Sequence, residues 1–548
     1  MKGFSFRRGR GWQAALLGLL LIGGGHAAAD AADCTGLKAL EVPHGTITSA
    51  DIIGDGVFHE DTAVGRAGRT YTGLPAFCRV RGLSTPVPGS EIEFEVWLPQ
   101  RNWTGRLHMI GGGAYNSNIA YQQMISRLRA GDVAVATNTG HKGAELTFVI
   151  GHPESIADFA HRAVHESVVA AKQVTKAYYD APAHHAYFSG CSTGGYQGLT
   201  EAQRYPDDFD GIIAGAPGNN RSNLNLAFLW QFLSNHRPGD NEHQIVPTEK
   251  LAMINRAAVA ACDRMDGVTD GVINDPRACH FNLASLKCTA ADGPNCLTSE
   301  QIDAVQKMYD GPKDKRTGKP LYPGFVASAE GGVANADEKY PGWSEFWANP
   351  AHPDEPARAD FFRYWVNDDP KWDWWAFNWG SDIDAVRAKI GKITDSIDTD
   401  LSRFQSHRGK MMMFIGWQDP VGAAGEAINY YEGVEAHAGS KTQDFVRLYM
   451  VPGMVHCAGG PGATNFSTAT RDSTPPVSDA QHDMAVALQD WVEKGIVPES
   501  LIATKYESGK GPDGKIAFQR PLCVYPKVAR YKGGPQESAD SFTCGPAK

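Results

Sequence analysis

The segment HAYFSGCSTGGYQGLTEAQRYP, residues 185–206, constrains the fold more than any other stretch of the chain. It begins with an apolar run typical of a buried strand, passes through glycines around Ser192, and continues into a sequence that can start a helix. Residues 190–194 fit the pattern G-x-S-x-G, in which a strand turns sharply into a helix and holds a serine at the turn. Small-residue loops produce the same pattern by chance, so it leaves two interpretations open: a nucleophile, or one polar residue in a loop.

Strand and helix patterns alternate around this segment. Apolar strand patterns occur at 91–98, 105–113, 132–140, 210–217, 410–420 and 444–457, and amphipathic helices are indicated at 155–179 and near 479–495. Such alternation predicts a parallel α/β sheet. From about 218 to about 400 the alternation weakens. We therefore expect an α/β domain formed by 33–217 and 400–548, with 218–399 inserted as a separate domain.

The first 32 residues have the features of a secretory signal peptide. Basic residues precede the apolar run AALLGLLLIGGG, and small residues then offer a cleavage site. No later stretch reaches the ~18 apolar residues of a membrane span. The formal net charge is -10 and basic residues form no stripe, so neither a membrane nor nucleic acid is an expected partner. We expect a periplasmic or secreted protein.

Export gives the ten cysteines a meaning, because an even set outside the cytoplasm is usually oxidised. Three possible pairs are close in sequence, and a fourth pair brackets the start of the mature chain. The two cysteines that remain form the fifth pair. The hypothetical pairs are Cys262–Cys279, Cys288–Cys296, Cys523–Cys544, Cys34–Cys78 and Cys191–Cys457.

A serine hydroxyl is a poor nucleophile unless a histidine takes its proton and a carboxylate orients that histidine. Behind a G-x-S-x-G turn these partners follow in the order acid, then histidine, each on a loop after a later strand. Asp419 in FIGWQDPVG and His456 in VPGMVHCAGG fit those positions. The alternatives are that Asp419 is a helix N-cap and that His456 is one ordinary histidine among 18.

The motifs GCSTGG, GWQDP and HC together resemble the tannase and feruloyl esterase family of α/β-hydrolases, which also includes mono(2-hydroxyethyl) terephthalate hydrolases. The resemblance covers nearly the whole mature chain. It implies an α/β-hydrolase fold with a large inserted lid domain that forms the substrate pocket. It also implies a catalytic triad of Ser192, Asp419 and His456, with a disulfide between Cys191 and Cys457 beside it.

Catalysis of this kind needs donors for the negative oxygen formed when serine attacks an ester. In the hydrolase pattern one donor is the backbone N–H of Thr193, and the other comes from the loop IGGGAYN, with Gly112 or Gly113 as the candidate. The alternative is that the glycines form a simple tight turn. Family members commonly carry arginine after the paired glycines, where this chain has Tyr196.

The segment CDRMDGVTDGVINDPRAC holds Asp263, Asp266 and Asp270, with glycines that let the chain curl. Calcium prefers carboxylate and carbonyl oxygens, although the spacing is not that of an EF-hand and an acidic solvated turn is the alternative. The resemblance places a structural calcium ion here, with the main-chain oxygens of Val268 and Val272 as further ligands. We expect it to stabilise the lid and take no part in the chemistry.

These observations predict a serine esterase that cleaves esters of aromatic, hydroxycinnamic-type acids through an acyl-enzyme. Within the family, galloyl esters and terephthalate monoesters are the alternative substrates. A non-catalytic binding protein on the same fold and a calcium-dependent binding module are alternatives of another class. Eight aromatic residues of the inserted segment have two interpretations: they line the substrate pocket, or they form the core of the inserted domain. They are Trp343, Phe361, Phe362, Trp365, Trp372, Trp374, Trp375 and Trp379.

Overall fold

The structure is a computed structural model that describes residues 33–54, 56–60, 68–335, 338–340, 342–470, 472–507, 511 and 514–547. The predicted signal peptide, residues 1–32, lies outside the described residues. Of the helices in this described part, none is long and apolar enough to span a bilayer.

The strands are short, and ten of the twenty in the described part of the chain belong to one large sheet. They are β1 (Glu41–Val42), β2 (Gly45–Ile53), β3 (Gly56–His59), β4 (Thr70–Leu74), β5 (Phe77–Ser84), β6 (Ile92–Pro99), β7 (Arg106–Ile110), β8 (Val133–Thr137), β9 (His185–Cys191), β10 (Gly211–Gly215), β11 (Gly332–Asn335), β12 (Glu338–Tyr340), β13 (Ala348–Asn349), β14 (His352–Pro356), β15 (Lys410–Gly416), β16 (Val446–Val451), β17 (Ser500–Tyr506), β18 (Ile516–Cys523), β19 (Lys527–Tyr531) and β20 (Phe542–Pro546).

The α-helices lie between and after the strands. They are α1 (Tyr121–Arg129), α2 (Glu154–Ala157), α3 (Ala163–Tyr179), α4 (Thr193–Arg204), α5 (Arg221–Asn235), α6 (Thr248–Cys262), α7 (Ser299–Asp310), α8 (Ser381–Val386), α9 (Lys392–Thr394), α10 (Ser402–Ser406), α11 (Ala424–Ala438) and α12 (Met484–Lys494). A wider π-type turn over Asp158–Arg162 joins α2 to α3 within the helix expected at 155–179.

Among the described residues, ten strands form one sheet in the order β1-β2-β5-β6-β8-β7-β9-β10-β15-β16. From β8 to β16 neighbouring strands are parallel, as expected. From β1 to β8 they are antiparallel. The sheet is therefore mixed, and the expectation of a parallel sheet was wrong for this edge. Strands joined by short turns pair antiparallel, a difference that apolar patterning alone does not reveal.

The central strands are buried on both faces. In β15, Met411 and Met413 pack into the core that holds α3, whereas Met412 and Phe414 pack into the core that holds α12. A strand covered on both faces has a continuous apolar sequence rather than an alternating one. Burial on both faces explains the continuous apolar run KMMMFIG. The loop that follows this strand lies at the edge of the sheet.

A second core forms mainly from the chain between β10 and β15. Of the eight aromatic residues singled out in the sequence, six are buried in this core and Trp372 and Trp375 pack against it. They therefore form a domain core, which was one of their two interpretations. Tyr115, Leu146 and Phe159, which precede the inserted segment, complete the same core, so the insert and the sheet share buried surface.

Candidate active site

Ser192 lies at the sharp turn between β9 and α4, with φ 63° and ψ -119°. A positive φ is uncommon for a residue other than glycine, and such strain is often found at functional positions. The backbone N–H of Ser192 donates to the carbonyl of Gly215 on β10 at 2.9 Å, which holds the turn against the sheet. A Cβ atom on Gly190 would lie 2.6 Å from Cα of Gly194. The turn therefore requires glycine at 190.

Asp419 and His456 lie on the loops that follow β15 and β16. Nδ1 of His456 is 2.7 Å from Oδ2 of Asp419. The other oxygen, Oδ1, accepts from the backbone N–H groups of Val421 and Gly422 at 2.8 and 3.0 Å. One oxygen thus caps a turn, while the other orients the histidine. The helix N-cap interpretation was wrong, because the helix that follows begins at Ala424 and its N-cap residue is Ala423. The Asp419 side chain has no exposed surface, so its position is fixed.

Ser192 and His456 line the same cavity, which has a volume of about 530 Å³. Within the described chain, no hydrogen bond joins Ser192 Oγ to His456. Catalytic hydrogen bonds are often long without substrate and shorten when it binds. The geometry therefore brings the two side chains to one cavity without yet connecting them.

A disulfide joins the residues next to these two side chains. Cys191 precedes Ser192, Cys457 follows His456, and their Cα atoms are 5.9 Å apart across the bond. Because the two cysteines are 266 residues apart in sequence, the bond connects loops from distant parts of the chain. It ties the serine turn directly to the histidine loop.

The other cysteines form the disulfides expected from the sequence. The pairs are Cys34–Cys78, Cys262–Cys279, Cys288–Cys296 and Cys523–Cys544. No free cysteine occurs in the described part of the chain.

The backbone donors near Ser192 differ in availability. Thr193 is the first residue of α4, where an N–H group has no acceptor within the helix. The N–H of Gly112 donates to Oε1 of Gln197 at 2.9 Å and is therefore engaged. Gly113 lines the same cavity, and its N–H has no hydrogen bond among the described residues. Of the two candidate glycines, the structure favours Gly113.

Arg221, the first residue of α5, reaches the serine turn from the inserted segment. Its guanidinium lies 4.5 Å from the ring centroid of Tyr196, and Nη2 donates to Oγ1 of Thr193 at 3.2 Å. Burial raises the pKa of Tyr196 to about 12, and its hydroxyl donates to the carbonyl of Ala160 at 2.7 Å. Sequence reasoning missed Arg221, because a single arginine in NNRSNLNL belongs to no motif and its contacts are all long-range.

The acidic segment forms a compact turn after α6. Asp263 accepts from the backbone N–H groups of Asp270 and Gly271 at 3.2 and 3.1 Å. Oδ2 of Asp270 pairs with Nη2 of Arg520 at 2.6 Å. Burial, together with the charges of Asp270 and Asp263, raises the pKa of Asp266 to about 6. The turn therefore gathers negative charge, which among the described residues one arginine, Arg520, balances by a direct ion pair.

This turn supplies the right kinds of atoms for calcium, since carboxylate and carbonyl oxygens are its usual ligands. In the described ranges, however, the ligand atoms that lie within 4.8 Å of one another are those of Cys288, Asp292 and Cys296 rather than those of the aspartates. The Cys288–Cys296 disulfide removes that group as a metal site. To hold one ion, the aspartate oxygens must move closer than they lie here.

The cavity at Ser192 has two different sides. Phe346, Arg358 and Val421 line it on the side of the inserted segment and the Asp419 loop. On the other side it shares residues with a neighbouring cleft of about 640 Å³, most of whose lining residues are of polar types. The shared residues are Gln122, Gln123, Thr470 and Asp472. Among the described aromatic residues of the lid, the one that lines this cavity is Phe346, which the sequence did not single out.

Comparisons with known proteins identify the family of this chain. The sequence model of the tannase and feruloyl esterase family matches residues 78–545. An uncharacterized esterase of Xanthomonas campestris pv. campestris is 35% identical over 94% of this chain and 92% of its own length. A probable feruloyl esterase B of Aspergillus clavatus is 34% identical over 83% of this chain and 84% of its own. The crystal structure of feruloyl esterase B from Aspergillus oryzae, 29% identical, covers 93% of this chain and 99% of its own with a TM-score of 0.83. The chain therefore belongs to the tannase and feruloyl esterase family and is a carboxylic ester hydrolase.

Proposed function

We propose that this hydrolase is a serine esterase in which Ser192, His456 and Asp419 form the catalytic triad. The observation that carries the proposal is the 2.7 Å contact between His456 Nδ1 and Asp419 Oδ2 in a loop that a disulfide ties to the strained serine turn. Nδ1 faces the carboxylate, so Nε2 is the nitrogen that remains to accept the serine proton.

In the first half-reaction, Ser192 Oγ attacks the ester carbonyl carbon and passes its proton to His456 Nε2. Asp419 stabilises the imidazolium that forms. The carbonyl oxygen becomes negative and accepts from the N–H groups of Thr193 and Gly113. The tetrahedral intermediate then collapses. Its C–O bond to the alcohol breaks, and the alcohol leaves with the proton from His456.

The second half-reaction reverses these roles with water. His456 takes a proton from a water molecule, whose oxygen attacks the acyl-serine carbon. The bond to Ser192 Oγ breaks, Oγ regains a proton from His456, and the carboxylic acid is released. Because both halves use the same base, a fixed distance between serine and histidine matters twice in each turnover.

Esters of hydroxycinnamic-type aromatic acids are the proposed substrates, and 218–399 is the proposed lid domain. Support comes from the relatives named as feruloyl esterase B and from the lid residues Phe346 and Arg358 in the cavity wall. We place the protein in the periplasm or outside the cell. Five disulfides support that location, because such bonds persist mainly in oxidising compartments.

A substrate panel tests this function. Wild-type protein is assayed with methyl ferulate, methyl gallate, chlorogenate and a terephthalate monoester, and kcat/KM is measured for each. We expect hydrolysis of the panel, with the highest value for a hydroxycinnamate ester. A highest value for methyl gallate or for the terephthalate monoester would replace the substrate assignment. Binding of these esters without hydrolysis would show a non-catalytic binding protein.

We further propose a structural calcium ion at the turn of Asp263, Asp266 and Asp270, with the carbonyl oxygens of Val268 and Val272. The support is the accumulation of carboxylates on a turn that the Cys262–Cys279 disulfide closes. Such an ion would neutralise charge and stabilise the turn. No catalytic step involves it, because the triad residues lie elsewhere.

Chelation provides the test of this ion. Treatment with EDTA should lower Tm by several degrees and calcium should restore it, while kcat of protein that remains folded changes little. The variant D266N should show a smaller response to EDTA, because it removes one ligand charge. The variant D382N, at a half-buried lid aspartate far from this turn in sequence, serves as the matched control and should respond as wild type does. A Tm that neither EDTA nor calcium changes would contradict the proposal.

A further inference from the structure

Arg221 lies behind the serine turn rather than on the wall of the catalytic cavity. It is the first residue of α5 and is buried, with 2% of its surface exposed. The described residues that line the cavity do not include it. Arg221 therefore does not contact a substrate in that cavity, and any contribution that it makes to catalysis is indirect.

No direct ion pair neutralises the charge of Arg221 within the described part of the chain, where its Nε is buried and makes no hydrogen bond. Its guanidinium packs on the rings of Tyr196 and Tyr115, at 4.5 and 5.4 Å from their centroids. Asp395 is near enough for Arg221 to offset part of the rise that burial causes in the pKa of Asp395. The oxygens of that carboxylate, however, bond to Ser222 at 2.8 and 2.6 Å. A buried cation without a paired anion costs stability, and proteins tolerate such costs mainly at functional sites.

A chain of hydrogen bonds connects Arg221 to the proposed oxyanion donors. Its Nη2 donates to Oγ1 of Thr193 at 3.2 Å, and that hydroxyl donates to the carbonyl of Ala114 at 2.6 Å. A guanidinium can only donate and a hydroxyl has one proton, so Arg221 directs the hydroxyl proton of Thr193 towards Ala114. The hydroxyl thereby joins the start of α4, which carries one proposed donor, to the loop that carries the other, Gly113.

Helix α4 holds this loop on both sides of Gly113. On one side the carbonyl of Ala114 accepts from the Thr193 hydroxyl. On the other side Oε1 of Gln197, one turn later in α4, accepts from the N–H of Gly112 at 2.9 Å. Ala114 has φ 48°, in the left-handed region that residues with a Cβ rarely adopt, so its conformation depends on such contacts. The direction of the Gly113 N–H is therefore set by two side chains of one helix.

Resting on the serine esterase function proposed above, we propose that Arg221 is a positioning residue of the oxyanion hole. By fixing the Thr193 hydroxyl, it holds the N–H groups of Thr193 and Gly113 at the spacing that the negative carbonyl oxygen requires. Its positive charge also stabilises that oxygen, because charges interact more strongly in a buried site than in water. Both effects grow as the oxyanion forms, so they act on kcat more than on KM. Arg221 takes no part in proton transfer.

Two variants test this role. R221M keeps an unbranched side chain against Tyr196 and removes the charge and the hydrogen bond, whereas T193V keeps the shape of Thr193 and removes its hydroxyl. Each should lower kcat on methyl ferulate by about 10- to 100-fold, less than the loss of an oxyanion donor itself. KM should change by less than about threefold, because the lost interaction is made mainly in the transition state. R221K, which keeps the charge, should recover part of the kcat that R221M loses.

A trifluoromethyl ketone that carries the aromatic acyl part of ferulate measures the oxyanion hole directly. Ser192 Oγ adds reversibly to its carbonyl carbon, and the ketone oxygen becomes negative as in the tetrahedral intermediate. In R221M and T193V its Ki should rise by about the same factor as kcat/KM falls, a correspondence that a loss of packing alone does not produce. The double variant R221M/T193V should lose less than the product of the two single losses, because the two changes remove a shared interaction.

R387M is the matched control. Arg387 is an exposed lid arginine that donates to Asn223, on the same helix as Arg221, at 3.1 Å, and R387M should keep wild-type kcat and Ki. A folded R221M or T193V with kcat within about twofold of wild type would overturn the inference, and so would a Ki that stays unchanged while kcat falls. If R221M does not fold, T193V still decides between these outcomes. Wild-type hydrolysis that neither variant affects would reject this inference alone, whereas failure of the wild type to hydrolyse any ester would reject the proposed function.

Discussion

Replacing Ser192 with alanine should lower kcat on methyl ferulate by about four to six orders of magnitude, since residues of a catalytic triad act as a unit. Alanine keeps the Cβ atom, so the turn between β9 and α4 loses only a hydroxyl that makes no hydrogen bond to His456. Tm should therefore stay within a few degrees of the wild-type value. The measurements are kcat with purified protein and Tm by thermal denaturation.

The exposed lid serine Ser381 provides the control, because S381A removes a hydroxyl of the same size far from the triad in sequence. It should keep wild-type kcat. If S192A retains more than a hundredth of wild-type kcat, Ser192 is not the nucleophile. If S192A unfolds, its low activity reports stability and the H456A variant must be measured in its place.

Removing the Cys191–Cys457 disulfide should lower both stability and turnover. In the chain-entropy account, a bond that closes so long a loop contributes about 5 kcal/mol to the free energy of unfolding. It also fixes the distance between the serine turn and the histidine loop, and a displacement of about 1 Å can cost on the order of a hundredfold in rate. We expect C191A/C457A to show both effects, measured as Tm and as kcat of the protein that remains folded.

The Cys523–Cys544 disulfide is the matched control. It joins β18 to β20 near the C-terminus and closes a sequence separation of 21 residues. C523A/C544A should lower Tm and leave kcat of folded protein nearly unchanged. Equal loss of kcat in the two double variants would mean that the disulfide beside the triad has only a structural role.

The serine turn was predictable because it depends on local constraints. The sharp turn needs its glycines within a few residues of Ser192, where the sequence shows them directly. The apolar composition of the strand before the turn is enough to indicate that this strand is buried. The order of Asp419 and His456 followed from the pattern behind a G-x-S-x-G turn, in which the acid and then the histidine lie on loops after later strands.

The remaining site features depend on contacts between distant residues. Gly112 and Gly113 look alike in IGGGAYN, and only the side chain of Gln197, 85 residues away, separates their roles. Through packing of the inserted segment, Arg221 reaches the serine turn and Arg358 reaches the cavity. Neither belongs to a sequence motif. The antiparallel edge of the sheet was missed for a similar reason, since pairing direction depends on how strands are connected.

The most direct test of the central claim is labelling with a fluorophosphonate, which reacts with activated serines. Peptide mapping of the labelled wild-type protein should find one modified residue, Ser192, and activity should fall in proportion to labelling. S192A should take up no label. Modification of another serine, or full inhibition with Ser192 unmodified, would contradict the account.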